Sequence, residues 1–132
     1  MKKNYESEIS TGTSTAKMLD MVLSDLKRTG GIEASAIVSR DGSLITSDIS
    51  GDVHAEAFAA MSATMLGAAE TATSELKKGI PDRIIVEFKD GKIITTGAGP
   101  KALLVVMTSP EAGLGLILVE MEKAADKAKE LL

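Results

Sequence analysis

Apolar positions first recur at helical spacing. Between Thr15 and Arg28, Leu19, Val22, Leu23 and Leu26 share one face, and Thr29-Gly30-Gly31 supplies the stop. Two short β-prone runs follow, Ile32 to Ser39 and Ser43 to Asp48, joined by Arg40-Asp41-Gly42. Asp-Gly between apolar segments signals a hairpin because both residues tolerate positive φ. The stretch from His54 to Lys78 predicts a long helix with two unlike sides. Phe58, Met61, Met65, Ala69, Ala72 and Leu76 fall on a stripe expected to lie on a sheet, while Ala60, Ala63, Thr64, Gly67, Thr71 and Ser74 make a side that is uniformly small. Helix propensity does not explain that small side, since Gly67 costs about 1 kcal/mol in a helix interior and Thr and Ser are modest helix formers. It predicts a second packing surface. A second hairpin, Asp82 to Phe88 and Lys92 to Ala98, flanks Lys89-Asp90-Gly91. Ala102 to Thr108 is apolar without alternation, which predicts a central strand covered on both faces, and so helices on both sides of a sheet. Leu114, Leu118, Met121, Ala125, Ala128 and Leu132 form a last helical stripe, predicted from about Gly113, although Leu114 to Val119 alone also suits a strand.

Residues 1–13 are too polar to order themselves and are expected to form a flexible tail, leaving 14–132 as a single domain. No apolar run approaches the roughly 20 residues of a membrane span, so a soluble chain without membrane insertion is expected. A formal net charge of -4 and only 2% aromatics give neither phosphate contacts nor base stacking much to work with, which argues against a nucleic-acid partner. The absence of cysteine removes disulfides, thiolate metal sites and cysteine nucleophiles, and fits a cytoplasmic location.

Candidate chemistry is sparse. His54 is the only histidine and has no evident partner for metal binding or proton transfer; a surface or cap role is expected. Gly97-Ala98-Gly99-Pro100-Lys101 is glycine-rich but lacks the phosphate-loop pattern, with proline where a backbone donor would be needed, and predicts a turn. Asp82 and Glu87 would point to opposite faces of a strand. No catalytic residue, cofactor or metal is expected.

The order is helix, hairpin, long helix, hairpin, strand, helix. With an Asp-Gly hairpin ahead of a long Ala/Met helix, an apolar strand ending near Ser109-Pro110-Glu111 and the segment Gly113-Leu114-Gly115-Leu116-Ile117, this order resembles the roadblock family of dynein-associated light chains and their bacterial and archaeal relatives. The resemblance covers about Ser14 to Leu132. It implies a three-layer α/β/α fold, with a five-stranded antiparallel sheet carrying the long middle helix on one face and the N- and C-terminal helices on the other. It also implies a homodimer made by pairing middle helices and the edge strands that follow them. On this sequence the interface would be the small side, Ala60, Ala63, Thr64, Gly67, Thr71 and Ser74, together with Arg83 and Ile85 on the strand from Asp82 to Phe88. The implied function is non-catalytic: an adaptor or regulator of a small Ras-like GTPase, in some prokaryotic members a GTPase-activating partner. Were an arginine finger involved, Arg40 at a hairpin tip would be more reachable than Arg28 or Arg83; repositioning of the GTPase's own groups is the preferred route. The alternative is a small-molecule-binding sensory module, which would need a cavity.

Overall fold

The computed structural model describes residues 2–51 and 53–132, with side chains from Ser14 onward. The elements are α1 (Lys2–Lys27), β1 (Ile32–Ser39), β2 (Leu44–Ile49), α2 (Ala55–Glu75), β3 (Arg83–Phe88), β4 (Gly91–Gly97), β5 (Ala102–Thr108) and α3 (Leu114–Leu131). The five strands form one sheet in the order β2-β1-β5-β4-β3, with every neighbouring pair antiparallel. β5 is the central strand, and the unalternating run Ala102 to Thr108 has its physical cause here. Leu104 and Val106 enter the core beneath α1 and α3, while Leu103 and Val105 enter a smaller core beneath α2. This is the three-layer α/β/α arrangement.

The start of the first helix differs from the expectation. The helix α1 extends past Thr15 to Lys2, so its range takes in most of the segment expected as a tail; Met1 and the side chains of residues 2–13 lie outside the described residues. The run from Leu114 onward is helix, as expected, with Gly113 at its N-cap.

The larger correction concerns α2. Its sheet-facing stripe is Ala59, Ser62 and Leu66, all buried, flanked by the partly buried Phe58 and Ala63. Met61 and Leu76, expected on the sheet, are 67% and 69% exposed, and Ala72 is exposed as well. The helix is therefore turned by about one residue from the expected orientation. The cause is steric: small side chains, Ala59 and Ser62 on the helix and Ala36 on the sheet, let the backbones come close, and Leu66 then fills the remaining space. With large and small apolar residues on every side of α2, periodicity alone fixes the rotation poorly.

The first hairpin is closed by Ser39 N–H donating to Ser43 O at 2.8 Å, with Gly42 N–H donating to Ser39 O at 2.9 Å and Gly42 at φ 94. That is a type I turn followed by a left-handed residue, the conformation that Gly42 makes cheap. The Asp41 carboxylate accepts from Ser43 N–H at 2.9 Å, and chiefly this bond holds its pKa below the ordinary value.

Since Leu66 is the largest buried side chain of α2, Leu66→Ala should cost about 2–5 kcal/mol. Glu56→Ala, on an exposed position of the same helix, should stay within about 0.5 kcal/mol in the same chemical denaturation experiment. Equal costs would contradict the observed rotation.

Candidate functional site

The open side of the molecule is the β3 edge of the sheet. Strand pairing places Ile84 and Val86 on the α2 face, opposite Thr95 and Ile93, and places Arg83, Ile85 and Glu87 on the other face, opposite Thr96, Ile94 and Lys92. As an edge strand β3 leaves a row of backbone donors and acceptors without ladder partners. Its side chains are apolar as well as open: Ile85, Val86 and Phe88 are all exposed. Beside it, on the α2 side, Met61, Leu76 and Ile80 also face solvent. Isolated exposed apolar residues need no explanation, but several together beside an open edge mark an interaction surface.

The residues expected at an interface fall largely on this side. Ala60, Thr64, Thr71, Ser74, Arg83 and Ile85 are exposed, while Ala63 and Gly67 are half-buried. The small side of α2 is nevertheless not uniform. Ala63 packs partly against the α2-side core, and the β1–β2 turn leans on its neighbour, since a Cβ at Gly42 would lie 3.5 Å from the Ala60 Cα. Smallness at Ala60 and Ala63 thus serves the chain's own packing. Gly67 is different: a Cβ built there meets nothing within 4 Å.

Arg40 is not a free hairpin tip. Its Nη1 donates to both carboxylate oxygens of Glu70, at 3.0 and 3.1 Å, and its Nη2 donates to Gly99 O at 3.1 Å. The two side chains are 33% and 28% exposed. Backbone N–H of Arg40 also donates to Lys101 O at 3.1 Å. One side chain thereby ties the β1–β2 turn, α2 and the β4–β5 turn together, and Gly97 leaves room for it, since a Cβ there would lie 2.9 Å from Nη2. Sequence reasoning missed Glu70. The available signal was that Glu70 is the sole charge between Ala57 and Ser74.

The pair forms one wall of a cleft of about 570 Å³ that runs past Leu66, Ile94, Leu118 and Met121 and is rimmed by Pro81 and Asp82. The glycine-rich segment 97–101 is the β4–β5 turn, closed by Ala98 N–H donating to Ala102 O at 2.9 Å. His54 is exposed at the N-cap of α2 without a side-chain capping bond. Among the described residues no group of three or more His, Asp or Glu side chains is placed to hold a metal ion, and no helix is long and apolar enough to cross a membrane.

Comparison with known proteins agrees with this architecture. A family model described as Roadblock/LC7 domain matches residues 18–108. The uncharacterized protein MJ0310 of Methanocaldococcus jannaschii is 40% identical over 114 residues, covering 86% of this chain and 99% of that protein. MJ0714 of the same organism is also 40% identical over 114 residues, covering 86% of this chain and 96% of that protein. Among solved structures, MglB of Myxococcus xanthus superposes with a TM-score of 0.82 at 19% identity over 88% of each chain. MglB in a tetrameric arrangement gives 0.83 at 17% identity over 89% of each.

Removing the Arg40 guanidinium leaves the Glu70 carboxylate half-buried without its partner. Arg40→Ala should therefore lose about 1–3 kcal/mol in urea denaturation. Arg40→Lys should recover less than half of that, because an ammonium cannot reproduce the forked contact to Glu70 and Gly99. A neutral Arg40→Ala would show that the clamp does not hold in solution.

Proposed function

The chain belongs to the Roadblock/LC7 domain family, and from that membership we propose that it acts in the cytoplasm as a homodimeric, non-catalytic regulator of a small Ras-like GTPase. The observation that carries the dimer is the exposed apolar β3 edge beside the outward apolar residues of α2. Such an edge is an aggregation hazard unless something covers it, and a second copy supplies matching strand and helix at once. The open space over Gly67 supports close approach of a second helix at that point. The GTPase follows from the kind of partner the family resemblance implies.

For the mode of regulation, the fixed state of Arg40 favours binding and repositioning over its insertion. Arg40 is held by Glu70 and Gly99, and Arg28 lies in a largely exposed pair with Asp25. Contact with the GTPase's switch regions needs a shaped surface and no catalytic group. A second reading is supported by the cleft of about 570 Å³: a small-molecule sensory module, for which a metabolite would raise the melting temperature.

The dimer is tested by sedimentation at micromolar concentration, where a species of 13.7 kDa would exclude it. Gly67→Leu separates interface from fold. In the single chain it meets open space and removes the glycine penalty of about 1 kcal/mol, so the isolated subunit should gain helix stability while association weakens. Lys127→Leu, on the far side of the molecule, should leave association unchanged. GTP turnover by a candidate GTPase should rise on adding the dimer, and Arg40→Ala should keep that stimulation under conditions where it remains folded. A candidate set that shows neither binding nor altered turnover in either nucleotide state would count against the regulator reading.

A further inference from the structure

We propose that the cleft beside the Arg40–Glu70 pair is a binding site for a small organic cation, one ammonium group carried on a hydrocarbon body. This deepens the small-molecule reading of the cleft given above and rests on it.

The cleft has a structural origin. Helix α2 packs across the whole sheet, whereas α3 packs on β4 and β5 and barely reaches β3. A gap is left where β3 begins, and it opens onto both layers of the molecule. Leu66 of the α2-side core stands on its wall together with Ile94 and Met121 of the core beneath α1 and α3. Among the lining residues that still reach solvent, Leu118 and Pro81 are half-buried and Ile80 is 73% exposed, so hydrocarbon is available for a ligand to cover. The rim is held in place, since Thr96 Oγ1 donates to Asp82 O at 2.9 Å just ahead of β3. A concave space of about 570 Å³ that combines hydrocarbon with a few charged groups has the form of a small-molecule site.

The charged groups decide the kind of ligand. The lining carries two guanidiniums, Arg40 and Arg83, against three carboxylates, Glu70, Asp82 and Glu122, which leaves one negative charge. Arg40 is not available to an anion, because its Nη1 is taken by both Glu70 oxygens and its Nη2 by Gly99 O. Of the other three charged groups, none is in an ion pair among the described residues. Two free carboxylates are thus set against one free guanidinium. An anionic ligand would gain Arg83 and be repelled by Asp82 and Glu122. A cationic ligand gains both carboxylates and is repelled by Arg83 alone, and it supplies the missing positive charge without displacing Arg40. An occupant would lie against the pair that ties α2 to the β1–β2 and β4–β5 turns.

The test uses the full chain, isotope-labelled for amide NMR and titrated near neutral pH at low salt with phenethylammonium. Separate series use its neutral analogue, phenethyl alcohol, and its anionic analogue, phenylpropionate. The ammonium compound should bind most tightly and shift the amide signals of Thr96, Leu118 and Glu122, and added NaCl should weaken it. Asp82→Asn and Glu122→Gln, both at exposed positions, should each weaken that binding about two- to fivefold. Arg83→Gln should instead tighten it about twofold by removing the repelling group. Sedimentation of each variant keeps a change in association from being read as a change in affinity. Tighter binding of phenylpropionate, or weaker binding of the ammonium compound by Arg83→Gln, would overturn the cation class while leaving the cleft as a site. Shifts confined to other parts of the chain, or no binding by any of the three compounds up to about 10 mM, would remove the small-molecule reading together with the proposal.

Discussion

The close seating of α2 on the sheet through small side chains is the constraint from which the rest of the molecule follows. Ala59 and Ser62 on the helix, with Ala36 on β1, keep this layer thin and leave Leu66 as the one large fully buried side chain that the helix contributes to it. That choice fixes the helix rotation, and the rotation decides what faces outward. With Ala59, Ser62 and Leu66 turned to the sheet, Met61 and Leu76 face solvent. The layer is also thinly bonded: Ser62 Oγ and Thr95 Oγ1 are buried without hydrogen-bond partners among the described residues. A buried hydroxyl left without a partner costs about 1–3 kcal/mol.

The two ends of the sheet are treated differently. At the β2 edge, α1 reaches across: Lys27 pairs with Asp48 at 3.6 Å, and Thr46 Oγ1 donates to Asp20 Oδ1. Most β2 side chains are half-buried in consequence. At the β3 edge no helix does this among the described residues, and the strand shows apolar residues on both faces. A surface ion pair contributes little energy, about 0–1 kcal/mol, but it marks where the fold has placed charge and cover. The asymmetry leaves one edge of the sheet covered and the other open.

Most of the fold was legible because its signals are local. The Asp41-Gly42 and Asp90-Gly91 turns, the unbroken apolar run of β5 and the stripe of α3 each report a nearby physical requirement. The rotation of α2 was not legible, since a helix with Met, Ala and Leu on every side has no single apolar face for periodicity to find. The small side was read as one surface when it has two uses. Ala60 and Ala63 make room for the chain's own β1–β2 turn, whereas Gly67 opens onto empty space. Arg40 was legible as a turn residue and illegible as a clamp, because Glu70 and Gly99 meet it only across distant segments of sequence.

That clamp also bears on how such a surface can regulate an enzyme. For Arg40 to enter another protein's active site it would have to release two bonds to Glu70 and one to Gly99, uncovering a half-buried carboxylate and freeing the turns on either side. The charge it brought to a phosphoryl group would be offset by the charge it abandoned. A rigid turn fixed by the same bonds is better suited to pressing on a partner's loops than to donating a side chain. The geometry thus weighs, on energetic grounds, against Arg40 as an inserted group and in favour of its role as a fixed support of the turns.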